Sequence, residues 1–427
     1  MSESAPDRKR TIEAIWRIES ARLIAGLARI VRDVGVAEDL AQEAFVAAVK
    51  QWPESGVPDN PGAWLMATAK RRGIDHVRHK TMAERKHELV GREMDIEPES
   101  FETGVDEDVD TQVKDDMLRL VFISCHPVLS TDARVALTLR LLGGLTTDEI
   151  ARAFLTKDAT IQQRIVRAKR TLAEANVPFE MPARDELDER VGSVLEVLYL
   201  VFNEGYAATA GDDWMRPQLC EDALRLGRIL QELLPEEPEV HGLVALMDIQ
   251  ASRIHARAGP DGEPILLLNQ NRARWDRTLI QHGLRSLTRA QRTGQGLGPY
   301  CLQAAIAACH ATAPTAEATD WVRIAALYDG LAQLMPSPII ELNRAVAVSM
   351  AFGPEAGLEI IDGLVDDPAL AEYHLLPSVR GDLLYKLGRF VEARNEFERA
   401  ASMTRNERER QLLVARAAAC QWGTQPA

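Results

Sequence analysis

The sequence predicts an all-α protein of several helical domains. Apolar residues recur at three- and four-residue spacing through most of its 427 residues, and no run of alternating β-branched residues interrupts them. The apolar fraction, 46%, suffices for packed cores, while aromatics contribute only 5%. The length exceeds that of one typical domain.

Composition narrows the function classes. The first ten residues are polar, and no stretch approaches the ~20 apolar residues of a membrane span, so a soluble, cytoplasmic protein without membrane contact is expected. Five scattered cysteines with no Cys-x-x-Cys read as reduced, packed thiols. Cys301, Cys309 and His310 sit in an Ala-rich helical run without a fourth ligand, which favours packing over a metal site. The net charge of −14 argues against non-specific nucleic-acid binding by the whole chain. The charge is segregated, however, and local basic faces remain able to bind.

In order along the chain, residues 11–35 form a helix with Ile12, Ile15, Ile18, Leu23, Leu27, Ile30 and Val34 as apolar positions, ended by Gly35. The helix at 36–52 gathers Leu40, Ala41, Ala44, Phe45, Ala48 and Trp52 on one side. Its other side carries Asp39, Gln42, Glu43, Val46 and Lys50, with Val49 at the border. Valines among carboxylates suggest a partner helix, although single exposed apolar residues are ordinary. Pro53 closes this helix, and Asn60-Pro61 starts the next. Over 61–80, Leu65, Met66, Ala69, Gly73 and Val77 face one way. Trp64, Thr68, Arg71, Arg72, Asp75, Arg78 and His79 share the opposite arc, with Lys70 alongside. A basic face with an aromatic member suits phosphates and an unpaired base. Trp64 reads at least as well as a core anchor.

From 81 to 116 carboxylates crowd a segment poor in apolar residues, the composition of a flexible acidic linker. Helical pattern resumes at 117 and reaches a helix-turn-helix at Leu145–Leu172. Thr147 and Asp148 are N-cap residue types for its first helix, with Ile150, Ala151 and Phe154 on one side. The second helix, 159–172, has Ile161, Ile165, Ala168 and Leu172 on one face. Its remaining surface holds Thr160, Gln162, Gln163, Arg164, Arg167, Lys169 and Arg170. Gln and Arg suit base edges, and Arg and Lys suit phosphates. A solvated basic face on an ordinary helical hairpin is the plain alternative. Val177 to Pro182 marks a boundary.

These blocks carry a resemblance to a known family. Glu38-Asp39-Leu40-Ala41-Gln42-Glu43-Ala44-Phe45-Val46 resembles region 2.2 of the sigma-70 family. Pro61 to Leu65 and Ala69 to Arg78 resemble regions 2.3 and 2.4, and Leu145–Leu172 resembles region 4.2. The order and the intervening acidic segment match the small, group-four extracytoplasmic-function sigma factors. The resemblance implies two small helical sigma domains. The first spans 11–80 and binds core RNA polymerase through Asp39, Gln42, Glu43 and Val46. It contacts the promoter −10 element through Trp64, Lys70, Arg71, Arg72, Asp75, Arg78 and His79. The linker, 81–116, would thread toward the polymerase active centre. The second domain, 117–176, contacts the −35 element through Thr160, Gln162, Gln163, Arg164, Arg167, Lys169 and Arg170. One departure concerns the turn of region 4.2, where the family's glycine is replaced by Leu155.

The chain then continues for more than half its length. Helices are expected at 218–234, 238–258, 263–283 and 284–292 within a domain at 187–299. Asn203 to Tyr206 and Asp212-Asp213-Trp214 read as a contact site or as a capped loop. Further helices are expected near 300–312, 318–334, 338–352, 354–365, 375–387, 389–402 and 406–420. Gly381, Gly388, Phe390, Ala393, Phe397 and Ala400 fit the small/large spacing of a tetratricopeptide repeat, so 300–420 is expected to be a tetratricopeptide-like extension. The whole arrangement resembles a subgroup of extracytoplasmic-function sigma factors with such an extension. There the extension is thought to regulate the sigma core in cis, and a protein or small-molecule signal would act on the repeats. No cofactor, metal or catalytic residue is expected. The other reading is a one-component regulator with a helix-turn-helix and a sensing repeat domain. An enzyme is disfavoured, because glycine-rich phosphate loops, nucleophile motifs and spaced metal ligands are lacking.

Overall fold

The computed structural model describes residues 5–88, 106–154, 156–207, 215–259, 263–294, 296–404 and 406–420; of 5–10, 75–88 and 106–111 it describes the backbone alone. Among the described residues there are eighteen α-helices, and pairing of extended backbone is limited to an isolated bridge between Ala258 and Pro264. No helix among them is long and apolar enough to cross a membrane. All five cysteines are buried and unpaired with one another. The chain divides into two compact units, Met1–Val197 and Leu198–Ala427.

The first unit opens with α1 (Ala5–Val31), α2 (Val34–Ser55) and α3 (Pro61–Glu88). Leu23, Ile24, Leu27 and Ala28 of α1 are buried, as are Ala37, Ala41, Ala44 and Ala48 of α2 and Leu65 and Ala69 of α3. The alanine stripe on α2 lets the helices approach closely. At Gly73 an added Cβ would stand 3.5 Å from Leu40 and 3.7 Å from Val31. Three expectations change here. Gly35 does not end α1: Arg32 takes a left-handed φ of 53°, and Asp33 caps α2 by accepting the Val36 N–H at 3.0 Å. Pro53 does not close α2, which runs through it to Ser55 and stops at Gly56, φ 83°. Ile18 is 65% exposed and lies off the core stripe.

Next come α4 (Asp106–Ser124), α5 (Thr131–Leu141), α6 (Thr147–Ala153) and α7 (Asp158–Glu174). The segment expected as linker, 81–116, is thus helical at both ends, and residues 89–105 lie outside the described ones. Its last acidic member is drawn into structure: Asp116 is buried, 2.9 Å from Arg29 Nε and 3.0 Å from Arg119 Nη1. The cap of α6 is Thr146 rather than Thr147 or Asp148. Its hydroxyl accepts the Glu149 N–H, and the Glu149 carboxylate accepts the Thr146 N–H, which is a capping box.

Helix α8 (Leu187–Tyr206) begins in the first unit and ends in the second. Its early residues pack on the helix-turn-helix module. Arg190 Nη2 donates to the Phe122 carbonyl at 2.8 Å, and Ser193 Oγ donates to the Cys125 carbonyl at 2.6 Å. The division between units therefore falls inside α8 and not at the Pro-containing stretch 177–182.

The second unit continues through α9 (Pro217–Leu233), α10 (Pro238–Ala251), α11 (Arg277–Arg292), α12 (Pro299–Thr312), α13 (Trp321–Leu334) and α14 (Pro338–Phe352). It ends with α15 (Pro354–Asp362), α16 (Leu375–Lys386), α17 (Phe390–Met403) and α18 (Glu407–Ala419). From α12 onward each helix packs on the next. The helix expected at 263–283 is not formed as such. Pro264, Asn269 and Asn271 break it into extended and 3-10 turns, Asp276 caps α11, and Leu266 and Leu268 stay exposed. Likewise α10 stops at Ala251, short of 258. A polar knot joins α9, α10 and α11: fully buried Asp248 pairs with Arg228 at 2.7 Å and with His282.

Candidate nucleic-acid and partner-docking surfaces

Helix α7 realises the sequence pattern. Ile161, Ile165, Ala168 and Leu172 are buried, and each large aliphatic side chain contributes on the order of 2 kcal/mol by leaving water. Thr160, Gln162, Gln163, Arg167 and Arg170 are exposed. Local pairs hold this face in shape: Gln162 Nε2 donates to Asp158 at 2.5 Å, and Arg170 Nε donates to Glu174 at 2.6 Å. Arg164 is half-buried and pairs with Asp132 of α5 at 3.0 Å. It lines a cleft of 340 Å³ with Thr160, Gln163 and Arg167. Leu155 lies outside the described residues, but the turn around it closes with Thr156 N–H donating to the Ala151 carbonyl at 2.9 Å.

Lys169 departs from the group. Its side chain is only 19% exposed, and it passes over Gly35, where an added Cβ would lie 3.5 Å from Lys169 Cδ. Its Nζ pairs with Glu38 of α2 and stands 3.6 Å from Asp39.

On α2, Asp39 and Glu43 are exposed, Val46 is 50% exposed, and Gln42 is half-buried. These residues line a shallow groove of 730 Å³ with Lys50 and Arg72. Gln42 Nε2 donates to Glu38 Oε1 at 2.5 Å. Glu43 pairs with Arg72 of α3 at 2.5 Å, which ties a candidate polymerase contact to a candidate −10 contact.

On α3, Lys70, Arg71 and Arg72 are exposed. Trp64 is half-buried and set edge-on against buried Trp52, with centroids 5.3 Å apart and planes at 66°. The anchoring reading of Trp64 therefore describes its packing. Asp75, Arg78 and His79 lie on α3, but their side chains fall outside the described ones, as do Asp212, Asp213 and Trp214 altogether.

The residue that sequence reasoning missed is Glu38. It is 3% exposed, and its carboxylate gathers Gln42, Arg140 of α5 (Nε, 2.6 Å) and Lys169. Burial pushes its pKa up, but the charges of Lys169 and Arg140 outweigh this and hold it below the ordinary 4.5. A signal was present. Glu38 precedes Ala41 by three residues and Phe45 by seven, which puts it beside the apolar stripe.

Comparison with known proteins agrees with this geometry. The sigma-70 region 2 family matches residues 18–82, the sigma-70 region 4 family matches 119–172, and a family of unknown function, DUF6596, matches 190–291. An uncharacterized protein of Rhizobium meliloti, R00370, is 42% identical over 90% of this chain and 90% of its own length. The ECF RNA polymerase sigma factor SigC of Mycobacterium tuberculosis is 30% identical over 40% of this chain and 83% of its own. A probable ECF RNA polymerase sigma factor from the same organism, SigI, is 29% identical over 39% of this chain, which spans 56% of that relative. With both sigma modules matched in order on the helices that present the exposed faces, the chain belongs to the sigma-70 family, as an extracytoplasmic-function sigma factor with a helical C-terminal extension.

Proposed function

We propose that this protein directs core RNA polymerase to particular promoters, by binding alone and without covalent chemistry. In this reading Asp39, Gln42, Glu43 and Val46 of α2 meet the polymerase. Lys70, Arg71 and Arg72, with Asp75, Arg78 and His79 further along α3, meet the −10 element, and Trp64 sets the start of that helix against Trp52. Gln162, Gln163, Arg164, Arg167 and Arg170 of α7, with Thr160 at its start, meet the −35 element. The observation that carries the reading is the division of α7. Its apolar residues are sunk in the core, while its Gln and Arg side chains form a presented face. Arginine contacts to phosphate make such binding salt-dependent.

The extension is proposed to be tetratricopeptide-like in its last part and to regulate the sigma core in cis, in answer to a protein or small-molecule signal. Its support is the packing of each helix on the next and the burial of Ala393, Phe397 and Ala400 against Gly381. The test is transcription in vitro with purified core polymerase. Full-length protein is compared with a version ending after Val197, so that Arg190 and Ser193 stay on the helix-turn-helix module. Initiation at a defined start site supports the reading, and altered initiation by the shorter protein supports regulation in cis. Absence of initiation with every template, including a genomic library, removes the sigma reading. Equal activity of the two proteins removes the regulatory one.

A further inference from the structure

We infer that polymerase docking on α2 and promoter binding by α7 are coupled, because both surfaces compete with one intramolecular ion cluster centred on Glu38. The inference rests on the proposed function and adds a regulation to the same surfaces.

The cluster joins elements far apart in sequence. Glu38 Oε1 accepts from Arg140 Nε at 2.6 Å, 102 residues away. Glu38 Oε2 pairs with Lys169 on α7, and Asp39 stands 3.6 Å from the same ammonium. Gln42, a candidate polymerase contact, spends its amide donor on Glu38 at 2.5 Å. Two more ion pairs cross between the same modules, Arg17 with Glu149 and Arg29 with Asp116 at 2.9 Å.

An ammonium held by two carboxylates is not available to a DNA phosphate. A carboxylate and an amide turned toward Lys169 and Glu38 are likewise not fully available to a partner. Each ligand must therefore displace the same contacts, and linkage makes the effect reciprocal: a polymerase surface that engages Asp39 and Gln42 releases Lys169, and DNA that captures Lys169 exposes Asp39 and Gln42. Charge suits this role. A buried ion pair adds little net stability over an apolar contact, because desolvation offsets the attraction, yet it fixes one arrangement over its alternatives. The described arrangement is then a closed state of the sigma core.

The test uses the full-length protein and two variants outside both candidate surfaces, Arg140→Gln and Arg17→Gln. Binding of a fluorescent 30-base-pair mixed-sequence duplex (a probe length chosen as about three helical turns) is followed by anisotropy over a salt series, without polymerase. Release of Lys169 should tighten binding on the order of tenfold, within the usual range of coupling between sites. It should also steepen the log–log salt slope by about 0.9, the value of one added phosphate contact. Lys169→Gln placed on the Arg140→Gln background should abolish the added slope. Spin labels at Val49→Cys and Val166→Cys, both exposed positions, should move apart in the variants. Arg140 also donates to the Leu145 carbonyl at 3.0 Å, so if Arg140→Gln misfolds by circular dichroism, Arg17→Gln decides. Unchanged affinity, slope and label distance in the folded variants overturn the coupling. Failure of the wild type to initiate with core polymerase overturns the sigma reading instead, in a separate assay.

Discussion

The two units use charge differently. In the first, ion pairs reach across 102 and 132 residues to connect a three-helix module to a helix-turn-helix module. In the second, Arg380 binds Asp362 and Glu396, 18 and 16 residues away, and Arg394 binds Glu398 one turn on. Short-range pairs close small loops and reinforce what neighbouring helices already do, as expected of a quasi-one-dimensional stack. Long-range pairs add a relation between modules that local structure does not dictate. Breaking one kind loosens a repeat, and breaking the other uncouples two functions.

The largest expected effect lies in the second unit's core. Phe397 is 1% exposed, and its ring lies 2.9 Å from where a Cβ on Gly381 would be. Phe397→Ala should cost the second unit about 4 kcal/mol. Urea unfolding followed by hydrogen exchange should show protection lost from α16–α18 and kept in α1–α7. Equal loss in both units would erase the contrast drawn above.

Next comes Glu38→Gln, which leaves Arg140 and Lys169 facing a neutral amide and should cost the first unit about 3 kcal/mol at pH 7. Because the folded-state pKa of Glu38 is depressed, its contribution is present above 4.5 and is lost as pH falls below that value toward the folded pKa. Denaturation at pH 7 and pH 4 should therefore show a smaller gap between wild type and variant in acid. Asp116 has the opposite sign. Burial raises its pKa, and Arg29 and Arg119 do not fully offset this. Its contribution falls as pH rises through the interval between its unfolded and folded values, so Asp116→Asn should cost less than Glu38→Gln. An equal cost would show that burial does not separate the two carboxylates.

The smallest effect belongs to Arg394→Ala. This i,i+4 pair, with both side chains about half exposed, should change stability by less than about 0.5 kcal/mol. A larger loss would mean that local pairs in the repeats do more than decorate the surface.

Legibility in the sequence followed the same division. The buried stripe of α7 was readable residue by residue, because one helix face is a local property with a fixed period. The alanine stripe on α2 was readable for the same reason. The caps were less so: residue types marked the start of α6, yet the choice among Thr146, Thr147 and Asp148 depended on which hydroxyl met Glu149. The leucines at 266–268 suggested helix, but Pro264 and the asparagines prevailed. Glu38 and its partners were not readable as a set, since a carboxylate beside an apolar stripe gives no hint of an arginine 102 residues away. The sequence also gave Lys169 to the DNA-facing set, because helical position cannot reveal that a long side chain folds back over a glycine.

The burial of all five thiols has a practical consequence. Burial pushes Cys125 up to about 11 and Cys220 up to about 12, and it raises Cys301, Cys309 and Cys420 as well. Reaction with a thiol reagent then waits for the surrounding structure to open. The native chain carries its own clocks: Cys125, where α4 ends, times the helix-turn-helix module, and the other four time successive stretches of the extension. Polymerase, DNA or a signal molecule can each be judged by which clock it slows.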